Sequence, residues 1–165
     1  MKMEKMLVSA CLVGERVRYN GVVKNFESHV LEYWNRRGWV VAICPEVAGG
    51  LPVPRPSSEI SGSDGYQALN GNKKVINIKG QDVTKYFLDG AQKALELASL
   101  FGIRLAILKE GSPSCGSNYI YDGSFSGIKK PGKGITAALL EENGIRVFSE
   151  REILEAENYL KTHII

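Results

Sequence analysis

Four short apolar runs constrain the fold of this 165-residue chain more than any other feature: KMLVSACL (5–12), WVVAIC (39–44), IRLAILK (103–109) and IRVFS (145–149). Each is nearly continuous in Val, Ile, Leu and Ala, which suits a strand covered on both faces. The segments between them carry helical spacing. With Asn25 as N-cap, NFESHVLEYWNRR sets Phe26, Val30, Tyr33, Trp34 and Arg37 in register and stops at Gly38. Asp82 caps a second helix whose apolar face is Val83, Phe87, Ala91, Ala94, Ala98 and Phe101, closed by Gly102. A shorter helix, TAALLEEN, ends at Gly144, and Ser149 with Glu152 makes a capping box for the last one. Strands alternating with helices in this way build right-handed βαβ units. The expected fold class is therefore α/β: one three-layer, Rossmann-like or flavodoxin-like domain over residues 1–165, with a mostly parallel sheet of about four strands.

Composition places the chain among ordinary globular proteins, with 44% hydrophobic and 24% charged residues. The net charge of +3 is too mild for a nucleic-acid footprint, and Lys129, Lys130 and Lys133 read as solvated surface. No apolar run approaches a membrane span, and MKMEKMLVSACLVGE is too short in apolar length for a secretory signal. The expected location is the cytoplasm, with no membrane partner.

Two long connections interrupt the pattern. PEVAGGLPVPRPSSEISGS, from Pro45 to Ser63, is rich in Pro, Gly and Ser and reads as a loop; segments of that length in compact domains tend to be functional. KKVINIKG after it reads as an accessory strand. The second connection, Glu110 to about Gly134, holds YIYDGSFSG, where Asp122-Gly123 between aromatic residues suggests a hairpin turn.

Cys11, Cys44 and Cys115 each follow the carboxyl end of a predicted strand, the edge of a parallel sheet at which ligands bind. A buried, inert thiol is the ordinary fate of a single cysteine. Three on one edge point to a shared site instead. Their odd number and wide spacing argue against a disulfide framework. Three thiolates suit a soft metal centre, zinc or iron-sulfur. Structural zinc commonly takes four ligands in close pairs, and the chain has no C-x-x-C or C-x-x-x-H pair. His29, inside a helix, and His163, at the tail, are poor ligand candidates. Three cysteines without a fourth partner favour a cluster with one iron left open.

Polar groups surround these cysteines in sequence. Glu46 lies two residues after Cys44 and is a candidate proton carrier, or else a solvated loop residue. Ser112 and Ser114 flank Pro113 ahead of Cys115 and are either site hydroxyls or turn formers. Arg55, held between Pro54 and Pro56, can reach an acidic or carbonyl group. GGLPVPRP and KPGKGIT could form anion nests, the latter before a helix, but neither fits a Walker or dinucleotide fingerprint and turn duty explains both.

The segments SACLVGERVRYNG, CPEVAGGLPVPRP, LAILKEGSPSCGS, IYDGSFSG and PGKGITAALLEENGIRVF, in this order from about Leu7 to Glu152, resemble the 2-thiouracil desulfurase family, also known as domain of unknown function 523. The resemblance implies a 4Fe-4S cluster held by Cys11, Cys44 and Cys115, whose fourth iron is not ligated by protein and takes the sulfur of a thiocarbonyl substrate. It implies proton transfer by Glu46 and a hydrogen bond from Ser112 to substrate or attacking water. The implied reaction is hydrolytic desulfurisation of a thiolated nucleobase, such as 2-thiouracil to uracil and sulfide. Gly111 and Ser57-Ser58 depart from the family pattern and bear on substrate choice. A cluster-based sulfur transferase and a non-catalytic redox or metal-binding module are the alternatives; the missing nucleotide fingerprint disfavours the first.

Overall fold

The computed structural model describes residues 4–23 and 26–165. In chain order it contains β1 (Met6–Ser9), a 3-10 turn (Ala10–Val13), α1 (His29–Arg36), β2 (Val40–Ile43), α2 (Pro45–Ala48), β3 (Ser58–Ile60), α3 (Gly65–Leu69), β4 (Val75–Asn77), α4 (Thr84–Leu100), β5 (Leu105–Leu108), β6 (Tyr119–Tyr121), β7 (Lys129–Pro131), α5 (Ile135–Glu142), β8 (Arg146–Ser149) and α6 (Ile153–Tyr159).

The four apolar runs form one sheet in the order β2-β1-β5-β8, every pairing parallel. Because side chains alternate along a strand, each run feeds two cores. Met6, Val8, Leu105, Ile107 and Phe148 pack against Leu31 and Trp34 of α1 and Ile153 and Ala156 of α6. Leu7, Ala106, Leu108 and Val147 face the other way, onto Ala94 and Ala98 of α4 and Ala137 and Leu140 of α5. This is the expected three-layer α/β arrangement with a four-stranded parallel sheet.

The helix starts differ from the sequence reading. The expected Asn25 cap lies outside the described residues, and α1 begins at His29, where the Ser28 hydroxyl accepts from the Leu31 amide at 3.2 Å. Asp82 does accept from the Thr84 amide at 3.0 Å, yet the N-cap position of α4 is Val83. The capping box of Ser149 and Glu152 is present, closing a 3-10 turn (Glu150–Glu152) that leads into α6.

The Pro45–Ser63 stretch is less loop-like than its composition suggests, since it contains α2 and β3. β3 pairs antiparallel with β4, which lies within KKVINIKG. α2 reaches its place by backbone contact. A Cβ on Gly90 of α4 would lie 1.9 Å from the Pro45 carbonyl oxygen, and one on Gly49 would lie 2.0 Å from that of Tyr86. Only hydrogen at both positions lets α2 rest on α4. In the second long connection β6 and β7 do form a hairpin. Its link spans residues 122–128 rather than a tight Asp122-Gly123 turn, and the Glu59 carboxylate holds it through the amides of Gly123 (2.9 Å) and Phe125 (3.2 Å). Among the described residues, no helix is long and apolar enough to cross a membrane.

Candidate active site

The chain runs from β1 to β2 on one side and then crosses to β5 on the other, so the carboxyl ends of β1 and β5 flank the switch point of the sheet. A cavity of about 620 Å³ opens there, and Cys11, Cys44, Cys115, Glu46, Ser112 and Ser114 all line it. Cys11 sits in the 3-10 turn after β1, and Cys44 lies between β2 and α2. Cys115 sits in the loop after β5 and is buried, whereas the other two are partly exposed. No disulfide joins them.

Burial resists ionisation of all three thiols. It pushes Cys11 up to about 11, with Cys44 adding to the effect against Lys109 and Arg18. Cys44 is raised by burial against the Val47 amide, which draws it down, while the Glu46 carboxylate adds to the rise. Cys115 is raised by burial, with hydrogen bonds from Ser9 and Ser114 opposing and the charges of Cys44 and Cys11 adding. Three thiols that feel one another in a poorly solvated crevice ionise readily only around a bound cationic centre. Among the described residues, no three His, Cys, Asp or Glu side chains converge as the ligands of one ion would. Neither histidine lines the cavity; His163 stacks on Tyr159 with ring centroids 4.4 Å apart.

Glu46, in the first turn of α2, is not a solvated loop residue. Its Oε1 accepts from Arg55 Nε at 3.1 Å, and its Oε2 accepts from Ser112 Oγ at 3.2 Å and Ser114 Oγ at 2.9 Å. The Ser112 oxygen accepts from the amides of Ser114 (3.1 Å) and Cys115 (3.2 Å), which leaves its proton to point at Glu46 or at Ser114, whose Oγ is 2.8 Å away. Ser114 also lies 3.6 Å from the Cys115 sulfur. Ser114 is therefore more than a turn former, as the sequence reading allowed.

The Cys115 loop is fixed to α5 through its backbone. Pro113 O accepts from Ile135 N, and Ser114 O accepts from the amides of Thr136 and Ala137. These bonds occupy the helix-start amides, so KPGKGIT is not an anion nest; Gly134 serves instead to admit the loop, since a Cβ there would lie 2.5 Å from the Ser114 carbonyl carbon. Glu110 closes the same loop from within. It accepts from the amides of Ser117 (2.8 Å), Asn118 (2.9 Å) and Tyr119 (3.2 Å). The sequence reading missed this residue, because a lone Glu after a strand carries no signal of its partners. Gly111 adopts a left-handed φ of 82°, and the Tyr119 ring would stand 3.0 Å from a Cβ there. A larger residue would be strained at this position.

Tyr119, Tyr121 and Phe125 bring aromatic surface to the cavity, and Lys109, Lys129 and Arg151 bring charge. Phe125 has a φ of 57°, uncommon for a bulky residue, and the Glu59 carboxylate on its amide helps to hold it there.

Fold and site together define a three-layer α/β protein with a thiol-lined crevice at the switch point of its parallel sheet. Residues 6–152 match the 2-thiouracil desulfurase family model, and the chain belongs to that family. It is 45% identical over 148 residues to an uncharacterised Bacillus subtilis (strain 168) protein, YbbK, covering 90% of this chain and 97% of that one. Its structure is similar to that of the 4Fe-4S-dependent thiouracil desulfidase TudS, with a TM-score of 0.87 and 47% identity over 96% of this chain and 98% of the other.

Proposed function

We propose that the chain is a desulfurase that hydrolyses the thiocarbonyl group of a thiouracil-type substrate, with Cys11, Cys44 and Cys115 holding a 4Fe-4S cluster that leaves one iron free of protein ligands. The observation that carries the reading is that the three cysteines share one cavity with a carboxylate and its two serine donors. The donor set fits the cluster: three thiols and, among the residues lining the cavity, no fourth Cys or His. When bound, the cluster supplies a Lewis-acidic iron for the thiocarbonyl sulfur.

The chain's own groups handle water and protons. Ser112, whose oxygen already accepts two amides, can only donate, to Glu46 Oε2 or to the attacking water, and that water passes a proton directly to the carboxylate. The water oxygen then bonds to the thiocarbonyl carbon as the carbon–sulfur π bond opens, and the proton held by Glu46 goes to the sulfur. Glu46 takes up the remaining hydroxyl proton as the carbonyl re-forms, the carbon–sulfur single bond breaks and hydrosulfide leaves. The balance is redox-neutral. Tyr119, Tyr121 and Phe125 give a planar ring apolar walls.

Glu46→Gln tests the proton role, because the amide keeps the shape but cannot accept the proton. The anaerobically reconstituted variant should hold wild-type iron and release sulfide from 2-thiouracil at least about 100-fold more slowly, the scale of general acid–base catalysis. Wild-type turnover by that variant would remove Glu46 from the mechanism.

A further inference from the structure

We infer that Arg55 is the positioning residue that presents the Glu46 carboxylate to substrate; the inference rests on the reading that Glu46 moves the proton. Arg55 is 8% exposed, deeper than an arginine ordinarily lies, and its environment is built to hold it. Its backbone amide donates to Tyr19 O at 2.7 Å. Its guanidinium donates in three directions: Nε to Glu46 Oε1 at 3.1 Å, Nη1 to Pro52 O at 3.1 Å and Nη2 to Val17 O at 2.9 Å.

The division of these bonds is the informative point. An arginine paired with a carboxylate for strength commonly uses two nitrogens on two oxygens. Here one nitrogen takes one oxygen and backbone carbonyls take the others. Oε1 is thereby pinned and Oε2 is turned to Ser112 and Ser114, at 3.2 and 2.9 Å. The Val17 carbonyl that receives Nη2 also accepts from the Cys44 thiol, at 3.8 Å. Arg55 therefore ties the segment after β1, the proline-rich segment and the first turn of α2 into one frame around Glu46. A lysine keeps the charge but cannot place donors in a rigid planar fork, so charge and positioning are separable by one substitution.

The test compares Arg55→Lys with wild type and Glu46→Gln, all reconstituted with iron and sulfide without oxygen and assayed on 2-thiouracil. The expected result for Arg55→Lys is wild-type iron content, a KM within about twofold of wild type and a kcat at least about tenfold lower. In Arg55→Ala, added guanidinium should restore part of the lost kcat. A crystal structure of Arg55→Lys should show Glu46 Oε2 withdrawn from the two serine hydroxyls, a readout that needs no turnover. The inference is overturned by a wild-type kcat in Arg55→Lys, by an iron loss that accounts for the whole rate change, or by an unmoved Glu46 in the crystal. Failure of the underlying reading looks different: Glu46→Gln would then turn over at the wild-type rate, whatever Arg55→Lys does.

Discussion

Glu110 illustrates how single residues fix this site. Its buried carboxylate accepts three backbone amides and the Asn118 side chain, the last at 2.8 Å. Burial opposes its ionisation, but the hydrogen bonds from Asn118, Tyr119 and Ser117 prevail and hold its pKa below the ordinary glutamate value. A lowered folded pKa contributes stability that is present above the unfolded value and lost as pH falls through the folded one. Glu110→Gln should therefore lower stability near neutral pH by about 1.5–3 kcal/mol, the scale of charge-assisted hydrogen bonds. Denaturant titrations at pH 7 and pH 3 check this, with a smaller difference expected at pH 3. The cysteines and Glu46 were legible in sequence because strand ends mark the binding edge of a parallel sheet. The partners of Glu46 were harder to read. Arg55 is nine residues away and Ser114 sixty-eight, and neither spacing is fixed by any local period.

Among the elements, α2 is the short piece on which the site depends most. Cys44 precedes it, Glu46 lies in its first turn, and its position rests on the contact of Gly90 with the Pro45 carbonyl. Replacing a glycine by alanine inside an ordinary helix stabilises it by about 1 kcal/mol. Gly90→Ala should do the opposite, because the new methyl would sit 1.9 Å from that oxygen and α2 would have to move. A loss of about 1–3 kcal/mol, the range for overpacking, and iron content below wild type are expected. Calorimetry and iron analysis check both, and a raised Tm with full iron would refute the packing argument. The sheet strands and the long helices were readable because a continuous apolar run, or several helical turns, repeats a signal. α2, α3 and β3 have only four, five and three residues, too few for a period to show. Tertiary contacts define them.

At the scale of the whole molecule, function follows from topology. Parallel pairing in the order β2-β1-β5-β8 gathers the carboxyl ends of three neighbouring strands, and each leads to one of the cysteines. The alternation of strands and helices made that architecture legible, whereas the cavity depended on how the two long connections fold over the sheet edge. The proposed mechanism requires a cluster held by these three thiols and no redox partner. It is tested most directly by measuring sulfide and uracil released from 2-thiouracil, without reductant or oxidant, by reconstituted protein and by the same protein stripped of iron. The reconstituted protein, with on the order of four irons per chain, should release the two products in equal amounts, and the stripped protein should release none. Sulfide released at the same rate by the iron-free protein would contradict it.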